Sequence, residues 1–215
     1  MREIGRAALA ECLFREQGGT RRLVAIAGAP GSGKSTLADR LCGEINARRP
    51  GIAAVLPMDG YHFDDMVLEA RGDRARKGAP FTFDVGGFRA MLARLRDEAD
   101  RTVAVPVFDR SIEIARAGAR LIGPEVRLIL VEGNYLLLDR DLWRELGPFF
   151  DLTVFLDVPR EVLHTRLRRR WERFGMPPET MRRQLEGNDF VNIETVLTES
   201  LPADLMVRAI GSGES

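Results

Sequence analysis

Between an apolar run, Leu23-Val24-Ala25-Ile26-Ala27, and a helix-like run, Thr36-Leu37-Ala38-Asp39-Arg40-Leu41-Cys42, the chain reads Gly28-Ala29-Pro30-Gly31-Ser32-Gly33-Lys34-Ser35. This stretch fits G-x-x-x-x-G-K-[ST], the P-loop pattern, in the strand–loop–helix context the pattern needs. Glycines let the backbone turn tightly, so that its N–H groups converge on phosphate oxygens. The helix N-terminus adds its partial positive charge at the same spot. Lys34 then reaches the β- and γ-phosphates, and the Ser35 hydroxyl holds Mg²⁺. Gly28, Ala29, Pro30, Gly31, Ser32, Gly33, Lys34, Ser35 and Thr36 are therefore the candidate nucleotide-binding residues. A glycine-rich turn that matched by accident would lack the flanking strand and helix. Only two lysines occur, Lys34 and Lys77, and one stands where phosphate chemistry requires it.

From Leu23 onward short apolar runs alternate with helical patterns, the βαβ signature of a parallel sheet. The expected strands are Leu23–Ala27, Ile52–Leu56, Thr102–Phe108, Val126–Val131, Leu152–Leu156 and Leu205–Ala209. Several are apolar throughout, as strands covered on both faces must be. Expected helices span 34–48, 85–98, 141–146, 159–173, 178–186 and 190–199. An amphipathic helix over residues 3 to 16 precedes them and ends at Gly18-Gly19. The fold class expected is α/β: a three-layer α/β/α P-loop NTPase with a mainly parallel sheet. At 215 residues the chain suits one domain, 1–215, closing on a frayed tail from Gly211 to Ser215. Two segments break the alternation, residues 60–84 and the arginine-dense stretch 166–180. Long strand-to-helix segments in a small domain are usually functional or disordered. These read as an acceptor-binding excursion and a lid.

Net charge is zero, from 32 basic and 32 acidic side chains, so no global field recruits nucleic acid or an anionic membrane. Cys12 and Cys42 supply neither a disulfide framework nor a metal quartet and read as small core residues. The sequence shows no apolar run of membrane-spanning length and no signal-type N-terminus, so cytoplasm is the expected compartment.

Parallel α/β sheets place their ligands at the carboxyl ends of strands. Asp59 follows the second strand and is the candidate catalytic base, with His62 beside it as an acceptor contact. An Asp-Gly pair alone reads as a turn; its place after a buried strand favours the functional reading. Glu132 ends the fourth strand in the Walker B position, where a carboxylate holds Mg²⁺ or its water. Asp157 competes for that role, but the fifth strand runs straight into Pro159, which makes Asp157 read as a helix-start residue. Gly133 permits close backbone approach, which also favours Glu132. Asp109 and Arg110 end the third strand and either bind a polar acceptor, pair with each other or cap the turn. Arg166, Arg170 and Arg173 share one helix face, with Arg169 beside them. They read as a clamp on the transferring phosphoryl group or as a solvated basic face. Arg166 and Arg170 are the candidate catalytic pair, and which arginine contacts the phosphates stays open. His164, inside a helix, reads as structural.

With these residues in view the chain resembles the phosphoribulokinase/uridine kinase group of P-loop kinases, which includes bacterial type I pantothenate kinase. The resemblance covers nearly the whole chain. It rests on the P-loop, Met58-Asp59-Gly60-Tyr61-His62-Phe63, and Arg76-Lys77-Gly78-Ala79-Pro80 followed by Phe81-Thr82-Phe83-Asp84. Val105-Pro106-Val107-Phe108-Asp109-Arg110, Val131-Glu132-Gly133-Asn134-Tyr135 and the arginine helix complete it. The Met58–Phe63, Arg76–Asp84 and Glu132–Tyr135 segments look most like the branch labelled fructose transport system kinase or nucleoside-triphosphate-hydrolase-like protein. The resemblance implies ATP- and Mg²⁺-dependent phosphoryl transfer to a small-molecule hydroxyl. It further implies Asp59 as base, the arginine helix as lid, and Arg76, Lys77, Glu132, Asn134 and Tyr135 among the acceptor-site residues. The segment at Asp59 lacks the Asp-Phe-Tyr run usual in uridine kinases, so a nucleoside acceptor is not implied. Two alternatives stand: a nucleoside monophosphate kinase using Arg71, Arg74, Arg76 and Lys77 on an acceptor phosphate, and a nucleotide-binding regulator without an acceptor. The chain carries neither the Asn-Lys-x-Asp motif of GTPase switches nor the Leu-Ser-Gly-Gly signature of ABC ATPases. The N-terminal helix is placed to pack on its own sheet or to form a homodimer.

Overall fold

The computed structural model describes residues 1–15 and 20–208. In chain order the elements open with β1 (Arg2–Glu3), α1 (Arg6–Arg15), β2 (Arg22–Ala27), α2 (Lys34–Arg48) and β3 (Ala53–Pro57). Then come α3 (Asp65–Ala70), α4 (Val85–Asp97), β4 (Val103–Asp109), β5 (Ile114–Ile122), β6 (Leu128–Gly133) and α5 (Asp141–Arg144). The chain closes with β7 (Leu152–Asp157), α6 (Arg160–Arg173), α7 (Pro178–Gln184), α8 (Phe190–Glu199) and β8 (Leu205–Arg208).

Six strands form one sheet in the order β1-β8-β7-β2-β6-β3, with every pairing parallel. All six residues of β6 are buried, and so are the last five of β2. Strands without alternation need helices on both faces, and each Leu or Ile so buried contributes about 1.5–3 kcal/mol. The expected three-layer α/β fold is the one observed. Helix α2 packs on β2, β3 and β6, and α1 lies on α2 with Leu9 and Leu13 fully buried. The apolar face of the N-terminal helix is thus covered within the chain.

Three expectations are corrected. Residues 2 and 3 form an edge strand on β8, so the first helix begins at Arg6; a two-residue strand has no periodicity to read. The run 102–108 is not a strand of the main sheet: β4 pairs antiparallel with β5 in a separate ribbon, with a bulge between Val105 and Val107. Pro106 sits at that bulge, where its missing N–H costs no ladder bond. Residues 178–199 form one helical path, since α7 passes through a π turn, Leu185–Asp189, into α8. The end of the first helix at Gly18-Gly19, the last residue of the expected strand at Ala209, and the tail 211–215 lie outside the described residues. No described helix is long and apolar enough to cross a membrane.

The excursion after β3 is closed at its base like a loop on a stem. His62 bridges Phe83, Phe63 N donates to Thr82 O at 3.0 Å and Asp84 N to Tyr61 O at 2.8 Å. Inside it, α3 is capped by the Asp64 carboxylate, which accepts from Met66 N at 2.9 Å. That helix is too short for its pattern to have been read.

Candidate active site

The parallel register brings the site together. Glu132 on β6 lies opposite Ile26 of β2 and Pro57 of β3. The ends of those strands carry the P-loop and Asp59, so three chemically distinct groups meet at one sheet edge. Gly133 allows this close assembly: a Cβ there would lie 2.5 Å from Met58 Cβ. The glycine therefore serves the contact between β6 and the turn Met58–Tyr61.

In the P-loop, Gly31 and Gly33 have φ of 80° and 96°, a region L side chains rarely adopt. Gly33 caps α2 without a side-chain hydrogen bond, which leaves the first N–H groups of the helix to an anion. Ser32 is buried, and its Oγ has no hydrogen-bond partner. That hydroxyl lies 2.8 Å from where a Cβ on Gly28 would be, so the cradle exists only because Gly28 has none. An orphaned hydroxyl in a glycine-lined, N–H-rich loop fits a phosphate group.

Asp59 lies in the turn after β3 with its side chain 18% exposed. Burial pushes its pKa up, but the charges of His62, Arg110, Lys34 and Arg170 outweigh that and hold the carboxyl below the usual range. Arg110 Nη2 donates to Asp59 Oδ2 at 2.5 Å. Glu132, 5% exposed, behaves oppositely. Burial raises its pKa, Asp59 adds to the rise, and Lys34 and a hydrogen bond with Ser35 oppose it. Two carboxylates with diverging proton affinities thus share the field of one lysine. Among the described residues no three His, Cys, Asp or Glu side chains come together. A Ser35–Glu132 pair suits Mg²⁺, which binds through one or two protein ligands and keeps its waters. Asp157 is 41% exposed and pairs with Arg208 at 3.6 Å.

The arginine helix divides by exposure. Arg168, Arg169 and Arg173 are exposed, whereas Arg166 and Arg170 are half-buried. Arg166 Nη1 donates to Gly31 O at 3.3 Å and Ser32 O at 2.9 Å, which ties α6 to the P-loop backbone. Arg170 lies over the rings of Trp171 and Phe174, at 5.3 and 6.0 Å, within the field of Asp59.

Several expected acceptor contacts are otherwise engaged. Tyr135 is fully buried, its ring 5.4 Å from Trp143 and its hydroxyl donating to Gly78 O at 2.7 Å. That hydrogen bond anchors the excursion. Asp109 accepts from Ser111 N and Oγ, at 3.1 and 2.6 Å, and pairs with Arg116. It caps the β4–β5 turn, while Arg110 reaches Asp59 and not Asp109. Lys77 donates to Asp65 at 2.6 Å and to Glu113 O at 2.9 Å, tying the excursion to the ribbon. Arg76 donates to Asn188 Oδ1 at 3.2 Å. His62 stays at the site, with Nδ1 2.7 Å from Asp59 O and its ring between Phe83 and Phe108. Burial lowers its pKa, and the neighbouring Asp59 opposes that shift. Asn134, at the end of β6, has a buried Oδ1 without a partner. Beside Arg110 the ribbon bears a concavity of about 440 Å³, lined also by Phe108, Arg116 and Arg120. Sequence reasoning missed Arg120, Trp171, Asn188 and Asp189. The adjacent Asn188-Asp189 pair, just ahead of Phe190-Val191, was the one legible signal.

No family model matches the chain. The crystal structure of a candidate fructose transport system kinase from Silicibacter sp. TM1040 superposes with a TM-score of 0.87 at 42% identity, over 94% of this chain and 98% of that one. A candidate uridine kinase of Schizosaccharomyces pombe is 30% identical over 88% of this chain and 84% of its own. An ATP-dependent kinase-like protein of Aspergillus versicolor is 36% identical over 70% and 92% respectively. With a P-loop, a strand-end aspartate and a strand-end glutamate gathered on this sheet, the chain belongs to the phosphoribulokinase/uridine kinase group of P-loop kinases.

Proposed function

We propose that the protein transfers the γ-phosphoryl group of ATP, with Mg²⁺, to a hydroxyl of a small molecule: a sugar, a nucleoside or a pantothenate-like alcohol. The observation that carries this reading is Asp59, held ionised at the end of β3 among Lys34, His62, Arg110 and Arg170. The free backbone N–H groups of the P-loop, to which Pro30 contributes none, and Lys34 hold the triphosphate. Asp59 orients the acceptor hydroxyl and takes its proton as the new O–P bond forms and the bond to the β–γ bridging oxygen breaks. Lys34 and Arg170 stabilise charge on the transferring group. In the free protein Arg110 donates to Asp59 Oδ2, so acceptor entry replaces or shares that hydrogen bond. Ser35 and Glu132 are the residues that would hold Mg²⁺, which neutralises charge between the β- and γ-phosphates. The names of the Silicibacter and S. pombe relatives point to fructose and uridine, so both belong in an acceptor panel.

The test is acceptor-stimulated ADP release across sugars, nucleosides and vitamin alcohols. A rate that never rises above the acceptor-free value would overturn the reading. A nucleoside monophosphate acceptor is disfavoured by the ion pairs of the excursion. Arg71 pairs with Asp73, and Arg74 and Lys77 share Asp65, leaving these cations engaged.

Two further expectations arise here. Glu132→Gln raises the Mg²⁺ concentration needed for half-maximal turnover; an unchanged Mg²⁺ dependence would move the metal away from Glu132. Arg170→Ala lowers turnover by about 10²- to 10³-fold with little change in ATP affinity, the usual cost of losing one charge-stabilising donor. Arg169→Ala and Arg173→Ala stay near wild type. Full activity in Arg170→Ala would remove Arg170 from the chemistry.

A further inference from the structure

The helical path from Pro178 to Glu199 is interrupted by one π turn, Leu185–Asp189, and two adjacent polar residues of that turn are buried. Asn188 is 3% exposed and Asp189 is 9% exposed. Each bonds a different part of the molecule. Asn188 Nδ2 donates to Lys77 O at 2.8 Å, and its Oδ1 accepts from Arg76 Nε at 3.2 Å and Asn192 Nδ2 at 3.0 Å. Asp189 Oδ2 accepts from Trp171 Nε1 at 2.6 Å, and its Oδ1 accepts from Gln184 at 3.2 Å. Trp171 is the ring over which Arg170 lies.

We propose that this π turn couples the acceptor segment to the lid arginine, with Asn188 and Asp189 as positioning residues. The path is continuous: the Arg76 guanidinium and the Lys77 carbonyl, Asn188, Asp189, the Trp171 indole, then Arg170. It rests on the reading of residues 60–84, whose Arg76–Lys77 turn Asn188 holds, as the acceptor-binding excursion and of α6 as lid. Adjacent residues of a helix point about 100° apart, so one turn can address two partners that lie on different sides of it. An apolar pair would fill the same space, but it would leave the Lys77 carbonyl, the Arg76 guanidinium and the indole N–H without partners. Extra residues of the π kind recur at functional sites in helices for this reason, since they re-aim side chains without ending the helix. A shift of the acceptor segment on ligand entry then moves the hydrogen bonds of Asn188, and the same turn carries Asp189 and the indole with it. The lid arginine thereby responds to the state of the acceptor site.

The test uses hydrogen exchange on the full chain with a non-hydrolysable ATP analogue and Mg²⁺, and needs no acceptor. In wild type the analogue slows exchange both in 166–174 and in 74–78. In Asn188→Ala the protection of 166–174 persists and that of 74–78 is lost. Trp171→Phe, which deletes only the N–H donor and keeps the ring, uncouples the two segments in the same way and guards against a folding defect in the first variant. Wild type without protection in 74–78, or either variant with protection of both segments intact, would overturn the coupling. Once an acceptor is in hand, Asn188→Ala raises its KM about tenfold or more with the KM for ATP nearly constant, and Asp189→Ala lowers kcat. An unaltered ratio of the two KM values would also count against it. Failure of the acceptor screen alone would strike the proposed reaction and leave the exchange result standing.

Discussion

Lys34→Ala abolishes phosphoryl transfer and leaves the melting temperature close to wild type. Lys34 is the first residue of α2 and half-buried, and it packs no core cluster. Its ammonium sits in the field of both Asp59 and Glu132. In the reaction it faces charge that builds on the transferring phosphoryl oxygens, where loss of one donor costs at least about 10²- to 10³-fold. The loss here is larger, because the same charge also helps keep Asp59 ionised. Lys34→Arg does not restore the rate, since a planar guanidinium cannot replace a compact ammonium at a point contact. Steady-state ADP formation together with thermal unfolding checks this. Undiminished turnover in a folded variant would remove the P-loop from the chemistry.

How much of this was legible in the sequence follows from the length scale of each signal. The P-loop could be read because it is a local pattern flanked by unambiguous runs, Leu23–Ala27 and Thr36–Cys42. Glu132 and Asp59 could be placed because parallel strands all end at one edge, which makes strand end a sufficient coordinate. Their mutual approach depends on Gly133 against Met58, a contact between segments some seventy residues apart that no local pattern shows. The third strand was misassigned because apolar alternation does not say which strand is the partner. Pro106 and the exposed residues of β5 were the available signs of a ribbon outside the sheet. Tyr135, Asp109 and Lys77 were drawn toward the acceptor by their place in family-like motifs. Each instead holds one segment against another, Tyr135 to Gly78 and Lys77 to Glu113, or closes its own turn, as Asp109 does with Ser111. A motif marks where residues gather, and hydrogen-bond partners then separate the scaffold from the chemistry.

Asp59→Asn lowers acceptor-dependent turnover by about 10²- to 10⁴-fold, the range for a positioned acid–base group. ATP affinity changes little, because the triphosphate is held by the free backbone N–H groups of the P-loop and by Lys34. The amide still offers Arg110 an oxygen, so the turn and the ribbon stay in place and the loss is chemical. The pH dependence supplies an independent check. Asp59 has a lowered pKa, so as pH falls it stays ionised through the ordinary carboxylate range and loses its proton-accepting form only below it. The acid limb of kcat/KM assigned to Asp59 therefore lies below that range in wild type. Arg110→Ala removes the guanidinium donating to Oδ2, and the limb moves to higher pH. Lys34, His62 and Arg170 still act on the carboxylate in that variant, so the move is partial. A collapse of ATP affinity in Asp59→Asn with turnover retained would make Asp59 a metal ligand. An acid limb unmoved by Arg110→Ala would assign the titrating base to another group.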